Sequence, residues 1–455
     1  MTIDLKKTKK VYFIGIGGIG MSAIARMLAL RSFSEAGLIE VIGSDRASSL
    51  VTQELEKLGI KIFYEQKAEN ITSDIGLVIY TIAIPEDNPE LKKARELGIK
   101  CLTYPEMLGV ISADKYTIAI SGTNGKTTTT AMVAKIMIEA GLDPTVIVGS
   151  LIKPEIARPG LAENNVCDAG TNFIAGQSKY FVVEACEYQR SFLNLAPKIL
   201  VITNIDNDHL DYYKDLADIQ SAFIELATKL PADGFLVCDK NDPLLLPVIK
   251  ATKAEVIDYK SLSRIENLLV PGEHNIKDAQ ASLGVAQALK INQSEAIKSL
   301  EKFVGAWRRF EFKGKMMSGA LIYDDYAHNP TKILAAINGA RDFMTKNNLS
   351  GRLIVAFQPH LYSRTKTLKD EFAQALAEAD EIILAPIYAA REPNDPEISS
   401  DILADLIKTK NPQVFSLSGL TEVVGKLKKD GQAGDLIITM GAGDIYKTAD
   451  DLVEN

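Results

Sequence analysis

Residues 117–130 read TIAISGTNGKTTTT. Gly122, Thr123, Asn124 and Gly125 form a short turn that ends in Lys126, Thr127 and Thr128. This is the chemistry of a phosphate-binding loop. Backbone N–H groups and the N-terminus of a following helix cradle phosphate oxygens, Lys126 supplies a point charge, and the Thr127 hydroxyl can hold Mg²⁺. The match to G-x-x-x-x-G-K-[ST] lacks its first glycine, because position 120 is Ile120. Two acids follow at a suitable place: Glu184 closes the apolar run FVVEA and Glu187 comes just after it. A carboxylate at the end of a strand beside such a loop gives a Mg²⁺–ATP site its basic parts, since Mg²⁺ takes a few protein oxygens plus water and phosphate. His209, in TNIDNDHLD, could add or orient a further ligand.

A second glycine-rich turn lies near the N-terminus. GIGGIG fits G-x-G-x-x-G at Gly15, Gly17 and Gly20, with Gly18 and Ile19 between them. Asp45 follows 25 residues after Gly20, near the spacing of a ribose-binding acid. Alone, the turn argues for a pyrophosphate at a helix N-terminus with a ribose nearby, which NAD and a UDP-sugar both offer. The remaining histidines also stand among polar residues. His274 lies in GEHN at a helix start, His328 in YDDYAHNP and His360 in FQPHLYSRT, each of these two after a strand. In open α/β sheets such edges carry ligands. The pair Arg308-Arg309, in GAWRRFEFKG, is placed to stabilise charge during phosphoryl transfer from across an interdomain cleft.

The elements that must position these groups fall into three blocks. In the first, VYFIG, VIGSD (41–45) and LVIYTIAIP (77–85) are strands alternating with helical stretches. The second starts with the phosphate loop and an amphipathic helix (Met132, Val133, Ile136, Met137) closed by Gly141. It continues with the apolar strands YFVVEA (180–185) and ILVITNI (199–205), and a late helix near 276–289 with Ile276, Ala279, Leu283, Ala286 and Leu289 on one stripe. The third restarts the alternation with ALIYDDYA, RLIVAFQP, EIILAPIY and DLIITMG. The expected fold is α/β with parallel sheets, and the expected boundaries lie at 1–112, 113–312 and 313–455.

Bulk properties narrow the class. With 455 residues the chain is too long for one core, and its net charge of −8 argues against a nucleic-acid binder. The four cysteines (Cys101, Cys167, Cys186, Cys238) are scattered, so neither a zinc site nor a disulfide framework is indicated, and a reducing cytoplasm fits. Residues 11–30 are apolar, but glycines and Arg26 interrupt them, which favours strand–turn–helix over a membrane or signal segment.

Taken together, GIGGIGMSAIA, GTNGKTTTT, TNIDNDHLDYY, GEHN, RRFE, DDYAHNPT, FQPHLYSRT and GAGDI resemble the Mur ligases, in order and over the whole chain. The resemblance implies three domains: a Rossmann-like UDP-sugar domain, a P-loop-type central ATPase domain and a Rossmann-like C-terminal domain. It implies ATP-dependent amide formation in peptidoglycan precursor synthesis, with UDP-N-acetylmuramate and L-alanine as substrates and an acyl phosphate between them. Carried over by position, Lys126, Glu184, His209, Arg309 and Asp325 would be catalytic. Gly122 to Thr128, Asn275, Arg309 and Asp325 would bind ATP, and Thr127, Glu184 and His209 would hold Mg²⁺. Gly15, Gly17, Gly18, Ile19, Gly20 and Asp45 would bind the UDP-sugar, and Tyr326, His328 and Arg364 the amino acid. The expected assembly is a monomer or weak homodimer, with neither membrane nor nucleic acid as partner.

Six positions depart from the family pattern: Asn124, Cys186, Asp278, Ala327, Asn329 and Leu361. Those at 327, 329 and 361 touch the expected amino-acid pocket, which leaves glycine or L-serine open as the nucleophile. A murein-recycling ligase that takes a tripeptide is the nearest rival. A catalytically silent nucleotide-binding homologue and an NAD-dependent oxidoreductase are the readings from other classes.

Overall fold

The computed structural model describes residues 5–30, 37–152, 156, 170–209, 212–390 and 392–453. Cys167, and Leu210 and Asp211 of the His209 motif, lie outside them. Three sheets carry the fold. The first comprises β1 (Lys10–Ile14), β2 (Glu40–Ser44), β3 (Lys61–Phe63), β4 (Leu77–Tyr80) and β5 (Cys101–Thr103), ordered β3-β2-β1-β4-β5 and wholly parallel. The second comprises β6 (Tyr116–Ser121), β7 (Thr145–Ile152), β8 (Thr171–Ile174), β9 (Tyr180–Glu184), β10 (Ile199–Ile202), β11 (Phe235–Cys238) and β12 (Glu255–Asp258). Its order is β12-β11-β10-β6-β9-β7-β8, and only the edge strand β8 is antiparallel. The third comprises β13 (Glu311–Lys315), β14 (Leu321–Asp325), β15 (Leu353–Phe357), β16 (Glu381–Leu384), β17 (Val414–Ser416) and β18 (Leu436–Met440). Its order is β13-β14-β18-β15-β16-β17, with β13 antiparallel at one edge.

The chain divides into two compact units. One contains the first two sheets (Met1–Asn267 and Lys277–Val304), the other the third sheet (Leu268–Ile276 and Gly305–Asn455).

The central strands are buried on both faces, as continuous apolar runs in a parallel sheet must be: all four residues of β10 and all five of β15 and β18 are inaccessible. Their pairing brings the chemistry-bearing loops to one edge of each sheet. Ile14 lies opposite both Ser44 and Tyr80, Ile120 opposite Glu184, Ser121 opposite Ile202, and Met440 opposite both Asp325 and Phe357.

Two local expectations need correction. The apolar run 77–85 is strand only to Tyr80, because its partner β1 ends at Ile14; Thr81 and Ile84 then close a turn through a 3.0 Å backbone hydrogen bond. The helix after the phosphate loop, Lys126–Glu139, is not amphipathic: Thr127 through Met137 are all buried. It is packed between the second sheet and the helix Gln293–Glu301, so every face is covered and no polar stripe is needed.

Candidate active site

The phosphate loop is set by its two glycines. Gly122 (φ +126°) and Gly125 (φ +84°) occupy backbone conformations that side chains disfavour, and Gly125 is the N-cap of Lys126–Glu139. A Cβ on Gly122 would overlap the Thr203 hydroxyl, and one on Gly125 would sit 2.3 Å from Asp278 Oδ1. The loop is tied to the end of β10 from outside. Asn204 accepts the Thr123 and Asn124 amides, each at 3.0 Å, and Asp206 donates its amide to Thr123 Oγ1 at 2.9 Å. The Asn124 side-chain oxygen is buried with no partner among the described residues.

Around this loop the expected residues of the first unit converge. Thr127 Oγ1 donates to the Glu184 carboxylate at 3.0–3.1 Å, and the Gly149 amide donates to the same carboxylate at 2.8 Å. A side chain at 149 would clash with Glu184, with its Cβ 2.9 Å from the carboxylate. Lys126 reaches the Gly122 and Thr123 carbonyls and Glu187, so Glu187 is a site residue that the sequence reading left without a task. Burial alone would lower the Lys126 pKa, but the Glu187 charge and hydrogen bond outweigh it and raise the value. His209 stands with its ring against Tyr188 (centroids 4.8 Å apart) and Nε2 3.7 Å from Glu187, not from Glu184.

The fit to Mg²⁺ rests on oxygen chemistry. Thr127 and Glu184 are adjacent hard donors, yet no group of three or more His, Cys, Asp or Glu side chains among the described residues could hold an ion by itself. Such a site suits Mg²⁺ bound largely by phosphate oxygens and water.

The N-terminal glycine turn gathers its own set. The Gly17 amide donates to Asp45 Oδ2 at 2.7 Å, and the Gly15 and Ile16 amides donate to the Ser44 carbonyl at 2.9 and 3.0 Å. Gly20 permits the Tyr104 ring to lie against the turn, since a Cβ there would be 2.4 Å from the ring carbon Cζ. Tyr104, Ile19, Gly20, Ile147, Glu184 and Cys186 line one cavity of about 270 Å³, so the N-terminal glycine turn and Glu184 open onto shared space within one unit. Cys186 is exposed where it lines this cavity.

In the second unit, Arg308 and Arg309 have different surroundings. Arg308 is buried, donates to Asp324 Oδ2 at 2.8 Å and to the Gly441 and Gly443 carbonyls, and lies among the rings of Trp307, Tyr326 and Tyr446. Arg309 is half-buried over Tyr326 at 5.2 Å. Asp325 accepts the Phe310 and Ala327 amides, both at 2.7 Å; burial pushes its pKa up, against the opposing pull of Arg309 and those amides. The expected amino-acid residues cluster beside it. The His328 ring lies 5.0 Å from Tyr326 and 6.4 Å from His360, and Arg364 Nη1 lies 3.5 Å from His360 Nδ1. Asn329 caps Pro330–Lys346 by accepting the Lys332 amide, and Leu361 holds φ +70° ahead of Tyr362–Thr367. Asn275 donates to the Pro271 carbonyl at 2.6 Å.

Three family models cover most of the chain: the Mur ligase family catalytic domain over residues 10–116, the Mur ligase middle domain over 120–282, and the Mur ligase glutamate ligase domain over 308–443. The chain belongs to the Mur ligase family. Proteins named UDP-N-acetylmuramate–L-alanine ligase are similar to it end to end: that of Clostridium kluyveri is 40% identical over 99% of both chains, and that of Clostridium novyi 42% identical over 98% of this chain and 97% of its own. The crystal structure of UDP-N-acetylmuramate–alanine ligase from Thermotoga maritima superposes with a TM-score of 0.75 at 27% identity, over 97% of this chain and 98% of that one. A murein peptide ligase from Psychrobacter arcticus shares the fold, with a TM-score of 0.68 and 21% identity over 98% of this chain and all of that one.

Proposed function

We propose that this Mur ligase joins L-alanine to the lactyl carboxylate of UDP-N-acetylmuramate at the expense of ATP. The observation that carries this reading is end-to-end similarity, at 39–42% identity, to relatives named for that reaction. Two structures of ligases named for the rival peptide reaction are similar at 21% and 23% identity, where the likeness shows the fold alone. The division of labour follows boundaries near residues 112 and 312.

The chemistry follows from what a carboxylate lacks. It is a poor electrophile at neutral pH, and taking the γ-phosphoryl group of ATP gives it a leaving group. The amine of L-alanine then attacks the acyl phosphate, a tetrahedral intermediate forms, and inorganic phosphate departs. The residues' work is alignment and charge neutralisation. The N-terminal turn (Gly15, Gly17, Gly18, Ile19, Gly20) and Asp45 hold the UDP moiety. Gly122 to Thr128 hold the ATP phosphates with Lys126 as their cation. Thr127, Glu184 and His209 are the residues that would hold Mg²⁺, which supplies neutralisation of phosphate charge. Arg309 and Asp325 serve the nucleotide with Asn275, and Tyr326, His328 and Arg364 receive the amino acid, the guanidinium pairing with its carboxylate. No described helix is long and apolar enough to cross a membrane, and the reading places the enzyme in the cytoplasm with its nucleotide substrates.

Hydroxylamine trapping tests the acyl phosphate. With ATP, Mg²⁺ and UDP-N-acetylmuramate but no amino acid, a UDP-sugar hydroxamate is expected to accumulate with ADP. ADP formation without hydroxamate would contradict the route.

A further inference from the structure

Glu187 is buried to 2% exposure, and the mechanism above gives it no part. Its carboxylate faces two cationic or donor groups. The Lys126 ammonium lies 2.8 Å from Oε2 and 3.0 Å from Oε1, and His209 Nε2 lies 3.7 Å from Oε1. The peptide carbonyl of Glu187 accepts the Tyr213 hydroxyl, which fixes the residue from behind. An ammonium has three N–H donors. In this structure the three acceptors of Lys126 are the Gly122 carbonyl at 2.6 Å, the Thr123 carbonyl at 3.1 Å and Glu187. Lys126 is therefore fully engaged inside its own loop, and a phosphate gains it only by displacing these partners.

Withdrawing Lys126 would strand a buried carboxylate, which is costly unless another donor takes over. His209 is in place to do so, and a neutral imidazole N–H suffices. Carboxylates beside metal-binding histidines commonly fix the ring in this way. We propose that Glu187 is a positioning residue that holds Lys126 against the phosphate loop and passes to His209 when the phosphates of ATP draw the ammonium away. The inference rests on the reading of this loop as an ATP site. One consequence separates it from a merely structural role. Glu187 competes with the nucleotide for Lys126 and adds a negative charge beside the phosphates, so it weakens ATP binding in the absence of a divalent cation.

The test is calorimetric titration of ATP into the full-length protein and its Glu187→Gln variant, with EDTA and with Mg²⁺. Without Mg²⁺ the variant is expected to bind ATP about fivefold more tightly, the scale of one partly screened charge contact. Adding Mg²⁺ should improve its affinity less than it improves that of the parent. In turnover, KM for ATP should fall together with kcat. Should Glu187→Gln fail to fold, Glu187→Asp carries the test: its shorter reach loosens the Lys126 contact, and a smaller gain in metal-free affinity is expected. Metal-free affinity equal to or weaker than the parent's, in a folded variant, overturns the proposal while leaving the ATP reading intact. No ATP binding by the parent under either condition would overturn the ATP reading itself.

Discussion

The Arg308 guanidinium is buried against Asp324, whereas that of its neighbour Arg309 lies half-buried over Tyr326, close enough to Asp325 to pull on its charge. Their sequence context, RRFE, is the same, so the dipeptide alone could not say which arginine serves the phosphates. Burial separates them: Arg308 is enclosed and Arg309 half-buried, in a segment where Arg308 and Phe310 both have positive φ. Arg308→Ala strands a buried carboxylate and is predicted to destabilise the second unit by about 3–5 kcal/mol. Arg309→Ala is predicted to melt within a degree or two of the parent, roughly the span of a surface change, while losing turnover. Thermal denaturation beside an ATP-dependent phosphate-release assay checks both; a strongly destabilised Arg309→Ala would reverse the roles. Lys126→Ala is predicted to abolish ATP-dependent turnover and leave UDP-N-acetylmuramate affinity nearly intact, because the N-terminal turn proposed to hold the UDP group makes no use of Lys126. Calorimetry showing both ligands lost in a folded variant would contradict that separation.

At the scale of elements, the site depends on turns more than on side chains. Gly125 caps Lys126–Glu139 with φ +84°, and its missing Cβ leaves room for Asp278. Gly125→Ala therefore meets backbone strain of about 1–3 kcal/mol together with a contact that must give. The expectation is an ATP affinity reduced at least tenfold with UDP-sugar affinity unchanged, read by titration; an unaffected ATP affinity would show that the loop tolerates the side chain. Much of this was legible in the sequence, because Gly122, Gly125, Lys126 and Thr127 are contiguous and the strand–turn–helix order is local. Glu184 was legible for a related reason, since it ends an apolar run that could only be a buried strand. Glu187, Gly149, Asn204 and Tyr104 were less so, because their tasks depend on sheet order, and β9 lies between β6 and β7 in space but not in sequence. Gly149 carried no signal beyond being a glycine within an apolar run. The all-round burial of Lys126–Glu139 was hidden for the same reason, as its second cover comes from Gln293–Glu301, far along the chain.

At the scale of the molecule, the residues that the proposed reaction would use are divided between two compact units: Lys126, Glu184 and His209 belong to one, and Arg309, Asp325, His328 and Arg364 to the other. Ligand binding is therefore predicted to compact the protein. Small-angle scattering should show a smaller radius of gyration with a non-hydrolysable ATP analogue, Mg²⁺ and UDP-N-acetylmuramate together than with none; an unchanged profile would contradict this. The amine that completes the proposed reaction is the remaining determinant, and the unusual residues expected near it have structural tasks. Asn329 caps a helix, Ala327 packs in the core and Leu361 sets a turn, while Tyr326, His328, His360 and Arg364 stay clustered. The central claim is tested most directly by phosphate release with ATP, Mg²⁺ and UDP-N-acetylmuramate across L-alanine, glycine, L-serine and the L-alanyl-γ-D-glutamyl-diaminopimelate tripeptide. The account predicts the highest kcat/KM with L-alanine and no product with the tripeptide; product with the tripeptide and none with any single amino acid would contradict it.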